Sequence, residues 1–186
     1  LGVGAFMAGL VLLQNSLSVT IIIMAVTLIM IYVAGGKFSH VFTVGVMGVI
    51  GAIGFIFSTS FRRARFLNFL DPWQDATDVG YQLIHSLYAI GSGGFFGSLN
   101  SLANDGTGGY SSQYVPEIQT DFIFTQVCEQ WGTFGAICLL SLYVLLLSRM
   151  INIAESSKDI FGRIVTTGMI AYLLFAIWQN IGMTIG

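Results

Sequence analysis

The sequence predicts an all-α integral membrane protein, a multi-pass helical bundle, and three observations carry that prediction. Only 9% of the 186 residues are charged and 55% are hydrophobic, whereas a soluble domain carries about 25% charged residues. Mean hydropathy is +0.81. The few charges are also segregated: residues 1–36, 38–61, 130–148 and 164–186 contain none. A globule so poor in charge could not cover its surface in water, and its apolar content excludes a disordered chain. Seven Lys and Arg against nine Asp and Glu leave a formal charge of −2. That balance lacks the basic footprint of a nucleic-acid-binding protein.

A helix needs about 20 mostly apolar residues to cross a hydrocarbon core about 30 Å thick. Five segments read as membrane helices: 1–13, 17–34, 41–57, 122–147 and 164–183. The first is too short to span. It opens at Leu1 with neither a basic n-region nor a cleavage site, so it is not a signal peptide. It reads instead as the end of a truncated helix in a longer multi-pass protein. The polar run Gln14-Asn15-Ser16 separates it from the second. In the third, Gly45, Gly48, Gly51 and Gly54 recur every third residue, a spacing that lets helix backbones pack closely. Gln14, Asn15, Gln179 and Asn180 are expensive in lipid and are expected to make interhelical hydrogen bonds.

Residues 58–121 form one long loop between the third and fourth helices. Inside it, Leu83, Leu87 and Ile90 have helical spacing. That apolar run is too short to span, contains His85, and ends in Gly91-Ser92-Gly93-Gly94. It predicts a short interfacial or re-entrant helix. Cys128 and Cys138 lie on one predicted helix, about 15 Å apart along its axis, beyond the roughly 7 Å limit for a disulfide. His40 and His85 have no metal-ligand spacing. The short loops 35–40 and 149–163 hold Lys37, Arg149, Lys158 and Arg163, against three Arg in the much longer 58–121. Basic residues favour the cytoplasmic side, so residues 58–121 are expected outside.

The long loop concentrates the chemistry. Arg62, Arg63 and Arg65 follow the exit of the third helix, where cations can hold lipid phosphates. At the far end Glu117, Gln119, Thr120 and Asp121 precede the fourth helix. Asp121 at that mouth suits either a helix N-cap or a site carboxylate. Glu129 lies about 12 Å deeper along the same helix, and a carboxylate within a span points to a functional site or a structural partner.

Several stretches together resemble the shape, elongation, division and sporulation (SEDS) family. They are Arg62-x-x-Arg65-Phe66-x-x-Phe69-Leu70-Asp71-Pro72-Trp73; the run from Gly80-Tyr81-Gln82 to Gly91-Ser92-Gly93-Gly94, with Phe96-Gly97; and Pro116-Glu117-x-Gln119-Thr120-Asp121-Phe122-Ile123-Phe124 with Glu129 and Gly132. Phe161-Gly162-Arg163 and Gln179-Asn180-Ile181-Gly182-Met183 follow in order. Asp71-Pro72-Trp73 and Gly80-Tyr81-Gln82 look more like the division and sporulation members than the elongation members. The chain departs from the family at Gln14-Asn15-Ser16-Leu17-Ser18, at residues 98–114, and at Glu129-Gln130.

The resemblance implies about five of ten membrane helices in the bacterial cytoplasmic membrane. It also implies a peptidoglycan glycosyltransferase that joins lipid II units at the outer membrane face during cell division. A class B penicillin-binding protein and other division membrane proteins would be its partners, besides the bilayer. Asp121 matches the family's catalytic aspartate. Arg62 and Arg65 are candidates for diphosphate contacts, with Glu117, Gln119, Thr120 and Glu129 in support. No organic cofactor is implied, and a divalent cation at the diphosphate stays open. A lipid II flippase and a division scaffold are the competing functions for the same fold. The stretch alone is expected to be inactive.

Overall fold

A computed structural model of the chain describes residues 2–14, 16–60, 63, 73, 80–97 and 114–185. The described helices are α1 (Gly2–Leu13), α2 (Leu17–Val33), α3 (Phe38–Phe57), α4 (Tyr81–Ser92), α5 (Ile123–Ser156) and α6 (Ile160–Ile185). No strand occurs among the described residues. Helices α3, α5 and α6 are long and apolar enough to cross a bilayer, while α1 and α2 are apolar but shorter.

The helix ends have local causes. Helix α2 stops in a Schellman motif: Gly35, at φ 94, and Gly36 return their amides to the carbonyls of Tyr32 (3.0 Å) and Ile31 (2.9 Å). Helix α5 continues to Ser156, past the 147 expected from the sequence, because Arg149 ends the apolar run without ending the helix. Helix α6 starts at Ile160, ahead of the expected 164. There Asp159 is a true N-cap, its carboxylate accepting from the amides of Phe161 and Gly162 at 3.3 Å each.

The chain divides into two compact units, Leu1–Ser58 with Leu145–Ala176, and Thr59–Val144 with Ile177–Gly186. In the first, Gly4 of α1 lies against Thr27 of α2, and Gly168 of α6 against Met30. The Thr27 hydroxyl is satisfied within its own helix by the Ile23 carbonyl at 2.7 Å. The close packing expected along α3 is not found among the described residues. No atom lies within 4 Å of a Cβ built at Gly48, Gly51 or Gly54, and Gly45 meets only Leu28 at 3.9 Å.

The second unit holds the departure that matters most. Helix α5 is two helices joined at Gly132, whose φ of 67° and ψ of −169° are open essentially to glycine alone. In an unbroken helix the amides of Thr133 and Phe134 would bond the carbonyls of Glu129 and Gln130. Here they bond the carbonyls of Gly94 and Phe95, at 3.0 Å each. The chain leaving α4 therefore fills the break in α5 and satisfies the amides that the interrupted helix leaves without partners. The approach is backbone to backbone. A Cβ at Gly93 would strike the Cys128 carbonyl, one at Gly97 the Gln130 carbonyl, and one at Gly132 the Gly97 amide. Helix α4 is the short helix that the spacing of Leu83, Leu87 and Ile90 predicts. The straight rise assumed between Cys128 and Cys138 does not hold across the break, and both thiols are free.

Helix α4 buries Leu83, Ile84, Ser86 and Ala89. Ser86, Thr125 and Thr184 are fully buried. Ser86 donates to the Thr184 carbonyl at 3.0 Å, so its 2.5 Å contact with Thr125 is donated by the threonine. This hydroxyl chain joins α4 to α5 and α6. Beside it Phe124, Cys128 and Ala136 form an apolar cluster with Ile90, Leu139 and Ile181 against it.

Candidate functional site

The segment before α5 is a turn with two faces. Val115, Ile118 and Phe122 cluster in the interior, which leaves Glu117, Gln119, Thr120 and Asp121 exposed. Glu117 has a φ of 55°, the left-handed conformation that reverses a chain and that few non-glycine residues adopt. Its carbonyl then gathers the amides of Thr120 (3.1 Å), Asp121 (3.1 Å) and Phe122 (3.4 Å), and the Thr120 hydroxyl at 3.2 Å. The same hydroxyl lies 3.3 Å from Glu117 Oε2.

Two further elements hold this turn. At its start the Tyr114 ring stacks on His85 of α4, with centroids 5.7 Å apart, and His85 also meets Tyr81 at 4.0 Å. At its end Asn180 of α6 donates its side-chain amide to the carbonyls of Thr120 and Asp121, 3.1 Å each. The interhelical bond expected of Asn180 thus goes to the turn. Gln179 instead reaches Met183 within its own helix, at 3.9 Å.

Asp121 is not the N-cap of α5. Phe122 occupies that position, its carbonyl accepting the Thr125 amide at 3.0 Å. Among the described residues no hydrogen bond or ion pair engages the Asp121 carboxylate, in contrast to Asp159 at α6. The structure brings Glu117, Gln119, Thr120 and Asp121 into one turn and sets Glu129 apart from them. Glu129 is only 2% exposed, on the inner face of α5 close to the break, with Gly93 against its backbone. Arg62 and Arg65 lie outside the described residues. Arg63, between them, is exposed. Among the described residues no three His, Cys, Asp or Glu side chains converge in a way that could hold a metal.

Sequence reasoning missed the pairing of Gly93–Gly97 with Gly132 and the hold of Asn180 on the turn. Unusual glycine density at residues 91–97 was the available signal for the first. For the second there was only a polar side chain in an apolar helix.

Long apolar helices, a short helix whose exit completes the break in α5 and an acidic turn at the mouth of α5 define a multi-pass helical membrane protein. Residues 1–186 match the family model for FtsW, RodA and SpoVE, described as a cell cycle protein. The chain belongs to this family. It is 39% identical over 184 residues to a probable peptidoglycan glycosyltransferase FtsW of Thiomicrospira cyclica, covering 97% of this chain and 46% of that protein. It is 35% identical over 177 residues to stage V sporulation protein E of Bacillus subtilis, covering 95% and 47%. A probable peptidoglycan glycosyltransferase FtsW of a Geobacter species is 34% identical over 183 residues, covering 98% and 48%. The chain spans about half the length of these relatives. The likeness to FtsW and SpoVE agrees with the division and sporulation character of its motifs.

Proposed function

We propose that the protein is a peptidoglycan glycosyltransferase that polymerises lipid II at the outer face of the cytoplasmic membrane during cell division, with Asp121 as general base. The observation that carries this reading is the exposed Asp121 carboxylate, unengaged among the described residues and held out on a turn whose backbone is bonded on both sides. In the reaction, the 4-hydroxyl oxygen of one saccharide attacks the anomeric carbon of another and forms the new glycosidic bond. The hydroxyl proton passes to the Asp121 carboxylate. The bond from the anomeric carbon to undecaprenyl diphosphate breaks, and its electron pair leaves with the diphosphate. A single displacement inverts the anomeric centre. A positioned base contributes typically about 10²–10⁴-fold to such a step, and an exposed carboxylate can both meet a hydroxyl and take its proton.

Arg62 and Arg65 are assigned to the diphosphate, whose developing charge needs cationic stabilisation, with a divalent cation as the further possibility for that role. A class B penicillin-binding protein and other division membrane proteins are its partners in this reading. Glu117, Gln119 and Thr120 support the turn, and Glu129 supports the break in α5.

One observation favours a second reading, lipid II translocation. Discontinuous helices are a recurrent feature of transporter binding sites, and α5 is discontinuous at Gly132. A single experiment separates the functions: the full-length protein, purified with a class B penicillin-binding protein, is given lipid II in liposomes. Glycan chains identify the polymerase. Headgroup translocation without chains identifies a flippase, and neither activity leaves a scaffold.

A further inference from the structure

We propose that Asn180 is a positioning residue for the Asp121 carboxylate, an inference that rests on Asp121 acting as the base. The two peptide groups flanking the Asp121 α-carbon are each held at both ends. Their amides, those of Asp121 and Phe122, converge on the Glu117 carbonyl at 3.1 and 3.4 Å. Their carbonyls, those of Thr120 and Asp121, converge on the Asn180 amide nitrogen at 3.1 Å each. With both flanking peptide planes held, the direction in which the Asp121 side chain leaves the backbone is fixed.

The chemistry selects asparagine. Both partners are acceptors, so the side chain must present its nitrogen, and an NH₂ group has one hydrogen for each carbonyl. Aspartate offers no donor when ionised, and leucine of similar size offers none at all. Glutamine keeps the NH₂ group but adds a methylene. The hydrogen bonds of Asn180 go to backbone carbonyls, so it acts on the reaction through Asp121.

Orientation is costly to lose, since a displacement of about 1 Å at a reacting group can cost about 10²-fold in rate. The test uses full-length protein with its penicillin-binding partner and compares Asn180→Leu, Asn180→Gln and Asp121→Asn. Asn180→Leu should lower kcat for lipid II polymerisation by about tenfold or more, with KM changed by less than about threefold. Asn180→Gln should recover part of the loss. Amide hydrogen exchange supplies a readout independent of the chemistry. In Asn180→Leu, exchange at Asp121 and Phe122 should quicken by about tenfold or more, with α4 unchanged. Wild-type kcat in Asn180→Leu beside an inactive Asp121→Asn would overturn the positioning role and leave the base standing. A raised KM with unchanged kcat would overturn it too, by assigning Asn180 to substrate binding. Unchanged exchange at Asp121 and Phe122 would overturn the hold itself. An active Asp121→Asn would remove the base and this inference together.

Discussion

Ser86 shows how much a single buried hydroxyl can carry. It accepts from Thr125 and donates to the Thr184 carbonyl, so its loss strands two polar groups where no water reaches. Leaving a buried partner unsatisfied costs about 1–3 kcal/mol. Ser86→Ala is therefore expected to lower the unfolding temperature of the full-length protein more than Thr125→Val, which removes one bond and leaves the Ser86–Thr184 bond intact. Equal effects would show that the two bonds are not arranged in this order. Nothing in the sequence marked these residues. Serine and threonine in helices commonly bond the carbonyl one turn back, as Thr20, Thr43 and Ser141 do, and the pattern of residues is the same in both cases. Asp121 was easier to find, because an acidic side chain at the mouth of an apolar helix stands out. That its carboxylate caps no helix while that of Asp159 does depends on one residue of register at each helix start. Glu117 organises the turn through its carbonyl and its left-handed backbone. Asparagine tolerates that backbone, so Glu117→Asn should keep most polymerisation activity. Complete loss would show that the carboxylate itself takes part.

The break in α5 makes glycine positions two residues apart behave oppositely. A Cβ at Gly91 meets nothing within 4 Å, whereas one at Gly93 would strike the Cys128 carbonyl. Gly91→Ala should be neutral or stabilise α4 by up to about 1 kcal/mol, the helix-propensity difference. Gly93→Ala should destabilise the protein. Gly132→Ala should as well, since its backbone conformation alone costs a side-chain-bearing residue about 1–3 kcal/mol. Thermal unfolding of the three variants in detergent checks the order, and equal stability of Gly91→Ala and Gly93→Ala would contradict the backbone-to-backbone approach. The helices themselves were readable from apolar length, and the short helix α4 from its spacing and glycine-rich end. The break was not, because a lone glycine in an apolar run reads as helix and its partner lies in a separate segment. Apolar length understates α5 and α6 at their charged ends, because a charged residue does not end a helix. Asp159 ahead of Ile160 and Phe161 was the cap signal that would have placed the start of α6.

Composition alone identified the solvent of this protein, since few charges over long apolar stretches admit only a membrane. The orientation we propose, with residues 58–121 outside, rests on the density of basic residues in the loops. Cysteines introduced at Gly80 or Asp105, in a background lacking Cys128 and Cys138, should react with an impermeant thiol reagent in spheroplasts. One at Ser157 should not, and the reverse pattern would invert the topology. In that proposed orientation the acidic turn would face the side on which the proposed polymerisation takes place, and the whole proposal comes down to one carboxylate. The most direct measurement is lipid II polymerisation by full-length Asp121→Asn beside Asp121→Ala, with insertion, partner binding and unfolding temperature recorded for both. Asparagine keeps the size and shape of the side chain and removes the basic carboxylate. Both variants should insert, bind and melt almost as the wild type does while losing about 100-fold or more of the polymerisation rate. Glycan synthesis near the wild-type rate by Asp121→Asn would contradict the assignment of Asp121 as the base.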